Sequence, residues 1–242
     1  MNTLAVITAA NLLVSLGSLA GIMTLTMSRQ KLNRILLVLV ALSAGSMMGG
    51  AFFHLLPEAA KSLEIDQVYL IVFAAFTLFF VIEKLLYWRH CHDGHCRVHS
   101  FGYLNLLGDS LHNFIDGLII AGAFLTDFNL GVATVLAVSL HEIPQEVGDF
   151  GVLVYSGWGR TKALIVNLLV GLTAVLGGAV GFVLAGRIDN FTAMLLPFAA
   201  GGFIYIAASD LMPEIRKETS LKKSLASFGV FLAGVALIYL VK

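Results

Sequence analysis

The sequence predicts an all-α polytopic membrane protein, with eight transmembrane helices in one domain spanning residues 1–242. Hydrophobic residues make up 58% of the chain and charged residues only 12%, against about 25% charged residues in soluble domains. The mean hydropathy is +0.90. The apolar residues also fall in runs of about 20, which is the length a helix needs to cross the hydrocarbon core of a bilayer.

The apolar runs place the eight helices one after another. Their connections are short, except for residues 89–102 between helices 3 and 4. No positive residue precedes the first run, which argues against a cleaved signal peptide. The predicted helices cover residues 3–28, 33–57, 67–88, 103–125, 130–156, 161–185, 191–214 and 222–241.

The basic residues predict the orientation of these helices. Twelve of the 15 lysine and arginine residues fall on one side, and only Lys61, Arg187 and Lys242 fall on the other. Since cytoplasmic loops carry the excess of basic residues, we expect both termini outside. We expect a cell membrane, either plasma or inner, and no nucleic-acid partner; a homodimer is left open.

Helices 2 and 7 share a motif near one end. In the predicted topology the two copies lie at opposite membrane faces, as an inverted repeat of helices 1–3 and 6–8 around helices 4 and 5 would place them. The alternative is a coincidence of two ordinary helix ends. The motif is His54-Leu-Leu-Pro57-Glu58 in helix 2 and Asp210-Leu-Met-Pro213-Glu214 in helix 7.

Nine polar or ionisable residues interrupt helices 4 and 5, and such groups are costly in hydrocarbon. His112 and His141 each lie about 15 Å from a membrane face, so the two clusters should meet at the midplane. Imidazole and carboxylate together suit Zn²⁺, Fe²⁺ or Mn²⁺, which favours a metal site over interhelical hydrogen bonds. The nine residues are Asp109, His112, Asn113, Asp116, His141, Glu142, Gln145, Glu146 and Asp149.

Pro144 lies inside helix 5, next to this cluster. A proline has no N–H, so the carbonyl of Leu140 should lack its usual helical donor. We expect this to open the helix beside His141, as is tolerated in membranes where the helix lines a cavity.

The two clusters together resemble the metal signature of ZIP (Zrt-, Irt-like) metal-ion transporters. The matching stretches are His112-Asn-Phe-Ile-Asp116-Gly and His141-Glu-Ile-Pro-Gln145-Glu-Val-Gly-Asp149-Phe. The resemblance extends over the whole chain. It implies transport of divalent cations into the cytoplasm, mainly zinc, iron or manganese, with cadmium as a further candidate. The ligands it implies are His112, Asn113, Asp116, His141 and Glu142.

Two positions depart from the family pattern. Position 145 is commonly His or Glu in the family, whereas Gln145 is a poorer ligand. Some bacterial members use a methionine in helix 2, for which Met47 is the candidate, and a carboxylate in helix 6. Helix 6 of this chain offers Asn167 and Thr173 instead. We therefore expect one well-formed metal site and a weaker or absent second one.

Further residues suggest a path for the ion. Asp109 and Asp149 lie on the cytoplasmic side of the histidines and should line an exit, with Glu146 beside them. His54 and Glu58 are candidates for the entrance, and Asp210 and Glu214 for the inner end; the alternative for all four is an ordinary interface residue. The loop between helices 3 and 4 could collect metal or act as a flexible tract with weak affinity, through His90, Cys91, His92, His95, Cys96 and His99.

An intramembrane metal-dependent hydrolase is the alternative function. The stretch from His141 to Gln145 is similar to the His-Glu-x-x-His motif of metalloproteases. The second histidine is replaced by Gln145, however, and Pro144 interrupts the helix. The sequence therefore favours a transporter over an enzyme.

Overall fold

The computed structural model describes residues 2–23, 27–88, 98–155 and 157–241. Within these residues all regular secondary structure is helical, which confirms the all-α class. The helices form eight rods in chain order. They are α1 (Thr3–Ser15, continued as a 3₁₀ helix over Leu16–Ile22), α2 (Arg29–Gly50, a π-helical segment at Ala51–Leu55, then Leu56–Ala59), α3 (Ile65–Trp88), α4 (Val98–Thr126), α5 (Phe128–Tyr155), α6 (Arg160–Gly171 and Thr173–Ala185), α7 (Phe191–Ile206, a π-helical segment at Ala207–Leu211, then Met212–Arg216) and α8 (Leu221–Leu240).

Six of the rods in the described part of the chain are long and apolar enough to cross a membrane: α1, α2, α3, α6, α7 and α8. The chain is therefore a polytopic membrane protein. The other two rods, α4 and α5, contain 29 and 28 residues, so length does not set them apart. They carry the polar clusters, which lower their hydropathy.

Predicted boundaries are wrong at three helix ends, one of which is the start of α2, at Arg29 and not at residue 33. Met27 and Ser28 are not helical, so the first helix does not reach residue 28. Ser28 is extended and takes the N-cap position of α2, although its hydroxyl makes no capping hydrogen bond. Helix α4 begins at Val98 rather than at residue 103, so the connection after α3 is shorter than predicted. A transmembrane helix can continue beyond its apolar run into the polar interface.

Helix α5 continues as an α-helix through Pro144, from Phe128 to Tyr155. The expected opening beside His141 is thus not a break in the helix. Proline removes one hydrogen bond, and the turns on either side keep theirs.

Glycines bring the closest helix pairs into contact. A Cβ atom on Gly117 would lie 1.9 Å from the carbonyl oxygen of Ala174, and one on Gly177 would lie 2.0 Å from that of Phe114. The backbones of α4 and α6 therefore touch where they cross, as small residues allow in membrane bundles. Helix α8 packs along α2, and α7 packs along α3.

Helices α4 and α5 pack against each other and are enclosed by the other rods. Helix α5 also contacts α2 and the 3₁₀ part of α1, while α4 contacts α6 and α7. The main hydrophobic core joins these elements through fully buried side chains, among them Met47, Ile120, Ala137 and Phe203. The polar clusters of α4 and α5 therefore face an interior surrounded by protein.

The π-helical segments of α2 and α7 lie directly ahead of prolines. Ala51–Leu55 precedes Pro57, and Ala207–Leu211 precedes Pro213. Because proline cannot donate to a carbonyl in the preceding turn, a wider turn accommodates the missing bond, and such π-bulges often mark functional positions.

The connection between α7 and α8 is held by Glu218. Its carboxylate accepts hydrogen bonds from the backbone N–H of Ser220 at 3.0 Å and from Lys223 Nζ at 3.2 Å. The hydrogen bond from the Ser220 N–H and, to a smaller extent, the one from Lys223 stabilise the carboxylate and lower the pKa of Glu218. These bonds define the turn that leads into α8.

Candidate metal centre

Two histidines and two carboxylates meet between α4 and α5. His112 and Asp116 lie one turn apart in the middle of α4, and His141 and Glu142 lie in the middle of α5. One ligand atom from each of the four side chains lies within 4.8 Å of all the others. The structure thus brings together four of the residues that the sequence predicts as metal ligands.

The spacing of these atoms fits a tetrahedral metal ion. His112 Nε2 lies 3.1 Å from His141 Nε2, 3.2 Å from Glu142 Oε1 and 3.7 Å from Asp116 Oδ2. His141 Nε2 lies 3.1 Å from Asp116 Oδ2 and 3.3 Å from Glu142 Oε1. Ligands about 2.05 Å from a tetrahedral Zn²⁺ stand about 3.3 Å from each other.

The backbone sets the orientation of the His141 ring. Its Nδ1 lies 3.2 Å from the carbonyl oxygen of Ala137, and a carbonyl only accepts, so Nδ1 carries the proton. In the neutral ring the lone pair is then on Nε2, the atom that faces His112 and both carboxylates. Such a bond on the far nitrogen is typical of metal-binding histidines.

The two carboxylates are buried and lack good donors. Asp116 Oδ2 and Glu142 Oε1 accept no hydrogen bond of acceptable geometry within the described residues, and their only ion-pair partners there are the two histidines. Buried charges without a partner are strongly unfavourable. A divalent cation among the four atoms would satisfy them.

Three more carboxylates form a second group, which we call the acidic triad: Asp109, Glu146 and Asp149. Their oxygens also lie within 4.8 Å of one another. Asp109 precedes His112 by one turn of α4, and Glu146 follows Glu142 by one turn of α5. The triad is therefore displaced from the histidines toward the face of the bundle where α4 begins and α5 ends.

Three side-chain amides form hydrogen bonds with two members of the acidic triad, Asp109 and Glu146. Asp109 Oδ1 accepts from Asn113 Nδ2 at 2.9 Å and from Gln145 Nε2 at 3.3 Å. Asn167 of α6 donates to a carboxylate oxygen of Glu146, and its Nδ2 lies 3.3 Å from the Glu146 backbone carbonyl. Asn113 and Gln145 thus bind Asp109 and stand outside the four-atom group. Their role as metal ligands stays a prediction, as does that of Met47, which is fully buried in the apolar core.

A cavity of about 700 Å³ reaches the candidate metal centre. Its inner wall includes His112, His141, Asp109 and Asp149. Its outer part is lined by the ends of α3 and α7, where Asp210 and Glu214 lie as the sequence predicts for a pathway. Glu214 is paired with Lys217 there.

The predicted entrance residues lie elsewhere. His54 is 9% exposed, and its Nε2 hydrogen-bonds the carbonyl oxygen of Ile238 in α8 at 2.8 Å. Glu58 forms an exposed ion pair with Lys61 at 2.6 Å. Neither lines the cavity. Of the predicted loop histidines, His90, His92 and His95 lie outside the described residues, as does the side chain of His99.

Sequence reasoning missed Glu83 and Tyr205, which both line the cavity. The Tyr205 hydroxyl donates a hydrogen bond to Glu83 Oε2. Glu83 could have been found by the rule that singled out the clusters of α4 and α5, because it is a carboxylate inside an otherwise apolar membrane helix.

The fold and the site define a polytopic helical membrane protein with a candidate divalent-metal site between two central helices. The family model described as ZIP zinc transporter matches residues 3–100 and 89–242. The chain therefore belongs to the ZIP zinc transporter family, which is a family of transporters and not of enzymes.

Individual relatives agree with this assignment. The zinc transporter ZIP13 of Pongo abelii is 34% identical over 219 residues, which are 84% of this chain and 65% of the relative. The zinc transporter SLC39A7 of Rattus norvegicus is 42% identical over 149 residues, 58% of this chain and 31% of the relative. The ZIP13 homolog of Drosophila melanogaster is 29% identical over 273 residues, 85% of this chain and 77% of the relative. The chain thus spans from about a third to three quarters of the length of these proteins.

Proposed function

We propose that this chain transports divalent metal cations, zinc foremost, across a membrane toward the cytoplasm. The observation that carries the proposal is the group formed by His112, Asp116, His141 and Glu142. It provides four converging ligand atoms in the interior of a membrane protein, at the end of a cavity. Membership of a zinc transporter family and relatives named as zinc transporters support the same function.

The ligand set supports zinc as the main substrate. Two imidazoles and two carboxylates suit Zn²⁺ and also Fe²⁺ or Mn²⁺, and the spacing of the atoms fits a tetrahedral ion. None of the four ligands is a thiolate, so binding should be weak enough for the ion to leave. Cadmium remains a further candidate because it shares the charge of zinc.

We place all eight rods across the bilayer, with both termini outside and the chain in a cell membrane. The polar residues of α4 and α5 face protein and not lipid, which removes the main cost of burying them. The cavity opens where α7 ends near Lys217, on the face that carries most of the lysine and arginine residues. By the positive-inside rule this face is cytoplasmic, so the cavity fits a path for release into the cell.

An inverted repeat of α1–α3 and α6–α8 accounts for paired features along the chain. The sequence Asn-Leu-Leu-Val occurs at residues 11–14 and 167–170, and each copy precedes the point where its rod changes from one helical segment to the next. Ser15 and Gly171, which are 156 residues apart, touch through a 2.7 Å hydrogen bond from the serine hydroxyl to the glycine carbonyl. Residues 51–55 and 207–211, the two π-helical segments, have the same spacing.

The acidic triad serves in this proposal as the next position for the ion on its way to the cytoplasm. Asp109, Glu146 and Asp149 lie about one to two helical turns from the histidines toward the proposed cytoplasmic face, and two of them line the cavity. Gln145 and Asn113 donate hydrogen bonds to Asp109 and so fix this member of the triad. Because amide donors already occupy one oxygen of Asp109, we expect one strong site at the histidines and a weaker one at the triad.

A hydrolase fits the geometry less well. A His-Glu-x-x-His site needs the last residue of the motif to share the metal with the first. Here Gln145 donates its amide to Asp109 and is not part of the four-atom group with His141. The family assignment also argues against an enzyme.

Metal flux separates these functions. Purified protein in liposomes that contain a zinc indicator should admit Zn²⁺, and His112→Ala should abolish this flux because a ligand is lost. Replacement of His90, His92, His95 and His99 by alanine should leave flux largely intact, because the four proposed ligands are unchanged. If the unchanged protein binds zinc but shows no zinc flux, the transport proposal is contradicted and the hydrolase is favoured.

A further inference from the structure

The cavity beside the candidate metal centre is also lined by Glu83 of α3, a carboxylate that has no role in the pathway proposed above. Glu83 lies five residues before the end of α3, about 8 Å along the helix from that end. It lines the same cavity as His112 and His141. Asp66, in the first turn, is the other carboxylate of α3, so Glu83 is the one within the span.

The carboxylate of Glu83 is held in place by a rigid partner. The Tyr205 hydroxyl donates to Glu83 Oε2. Tyr205 is 5% exposed, and its ring packs edge-on against Phe76 at 5.1 Å and tilted against Phe79 at 6.3 Å. Because aromatic contacts fix the ring, the hydroxyl fixes the position of the carboxylate.

No cation neutralises Glu83 in the described part of the chain. None of the lysine or arginine side chains described there lies within ion-pair distance of it. The neighbouring Lys84 instead points its ammonium group at the ring of Phe80, at 5.9 Å. Among the described residues, no basic side chain therefore competes with a metal cation for the Glu83 carboxylate, which is bonded to a neutral hydroxyl.

A second carboxylate lies on the same cavity as Glu83. Asp210 of α7 lines it together with Glu83, Tyr205, His112 and His141. A cation that has passed the acidic triad thus enters a space in which further negative groups lie on α3 and α7. Clefts lined by one sign of charge raise the local concentration and the rate of passage of the opposite ion, by tenfold or more.

We propose that Glu83 receives the cation as it leaves the site between α4 and α5, and that Tyr205 is the residue that positions Glu83 for this step. This inference rests on the proposed transport function. It assigns the two residues to release of the ion, separately from the four ligands that bind it.

The test compares zinc flux with zinc binding in the full chain. Glu83→Gln keeps a hydrogen-bond acceptor for Tyr205 but removes the charge, so maximal flux in liposomes should fall about tenfold. The equilibrium affinity for Zn²⁺, measured by calorimetry on purified protein, should stay within about twofold, because the four ligands are intact. Glu83→Asp should recover part of the flux.

Tyr205→Phe tests the positioning role without a change of charge. The ring and its packing remain, but Glu83 loses its donor, so flux should fall about threefold with unchanged zinc affinity. Matched controls are Glu64→Gln, just before the opposite end of α3, and Tyr69→Phe, whose side chain is 63% exposed. Both controls should transport like the unchanged protein.

The outcomes separate this inference from the function on which it rests. If Glu83→Gln transports as well as Glu64→Gln, or loses zinc affinity as much as flux, Glu83 has no role in release. If Glu83→Gln does not fold, the comparison of Tyr205→Phe with Tyr69→Phe decides, and equal flux overturns the proposal. If the unchanged protein binds zinc but shows no flux, the transport function itself has failed.

Discussion

At the scale of single residues, the candidate metal centre depends on how each side chain is oriented. His141 is held by the carbonyl of Ala137 and lies 6.2 Å from the ring of Phe203 between ring centres. His54 is also buried and also bonded to a carbonyl, that of Ile238. The two histidines differ in the surroundings of the second ring nitrogen. In His141 this atom, Nε2, faces a second imidazole and two carboxylates.

Replacing each histidine by alanine should therefore have different effects. His141→Ala removes one of four ligands and should weaken zinc binding at least about 100-fold, more than the 10- to 100-fold cost of losing an outer partner. His54→Ala should leave the affinity unchanged. Isothermal titration of both variants checks this, and equal losses would show that the effect comes from general destabilisation.

Gln145 offers a second prediction at this scale. Gln145→Glu replaces the amide that donates to Asp109 by a further carboxylate beside the acidic triad. The added charge should strengthen the weaker second site about tenfold, so that two zinc ions bind at moderate concentrations. The number of zinc ions bound and the affinity of the second site are measured by metal analysis and by titration of the variant. Two ions bound with similar affinity by the unchanged protein would contradict the expected difference between the sites.

At the scale of helices, the crossing of α4 and α6 determines where the proposed ligands of α4 lie. Gly117 directly follows the proposed ligand Asp116, and its backbone contacts α6 at Ala174. A side chain there would push the two helices apart. The position of the metal centre is thus coupled to a contact that only glycine permits.

Gly117→Ala should destabilise the protein, because its Cβ would meet a backbone carbonyl that cannot move aside. Overpacking of this kind costs about 1–3 kcal/mol, which lowers the thermal midpoint by several degrees for a chain of this size. Gly229→Ala in α8 is the control, since no atom lies within 4 Å of its added Cβ. Thermal unfolding in detergent compares the two, and equal midpoints would mean that α4 and α6 are not in close contact.

The helices themselves were largely predictable, because run length and composition reflect the thickness of a bilayer. The prolines at positions 57 and 213 do not by themselves predict the π-helical segments that precede them. A proline shows that a hydrogen bond is missing, but the way the neighbouring turns compensate depends on packing. Pro144 is a second example. The sequence predicts that it opens α5, but the helix continues through it.

At the scale of the whole molecule, the arrangement of charges predicts which face is cytoplasmic. Lys162 and Lys61 should lie on opposite sides of the membrane. In a background with Cys91→Ser and Cys96→Ser, a cysteine at position 61 should react with an impermeant maleimide added outside intact cells. A cysteine at position 162 should react only after the cells are opened. Labelling of both positions from outside would contradict the eight-span topology.

The grouping of the four candidate ligands could be predicted from the sequence because spacing and depth bring His112, Asp116, His141 and Glu142 to one level. The partners of Gln145 and Asn113 could not be predicted, since either amide can serve as a ligand or as a donor. The pairing of Glu83 with Tyr205 joins residues 122 positions apart. Such a contact follows from the packing of α3 on α7, which one sequence alone does not reveal.

The most direct test of the central idea, that the ion held between α4 and α5 is the ion transported, measures binding and flux on the same preparations. Asp116→Asn keeps the size of the side chain but removes a ligand charge. The structure predicts that zinc affinity and zinc flux in liposomes fall together in this variant. Undiminished flux in Asp116→Asn, with zinc binding lost, would contradict the proposed pathway.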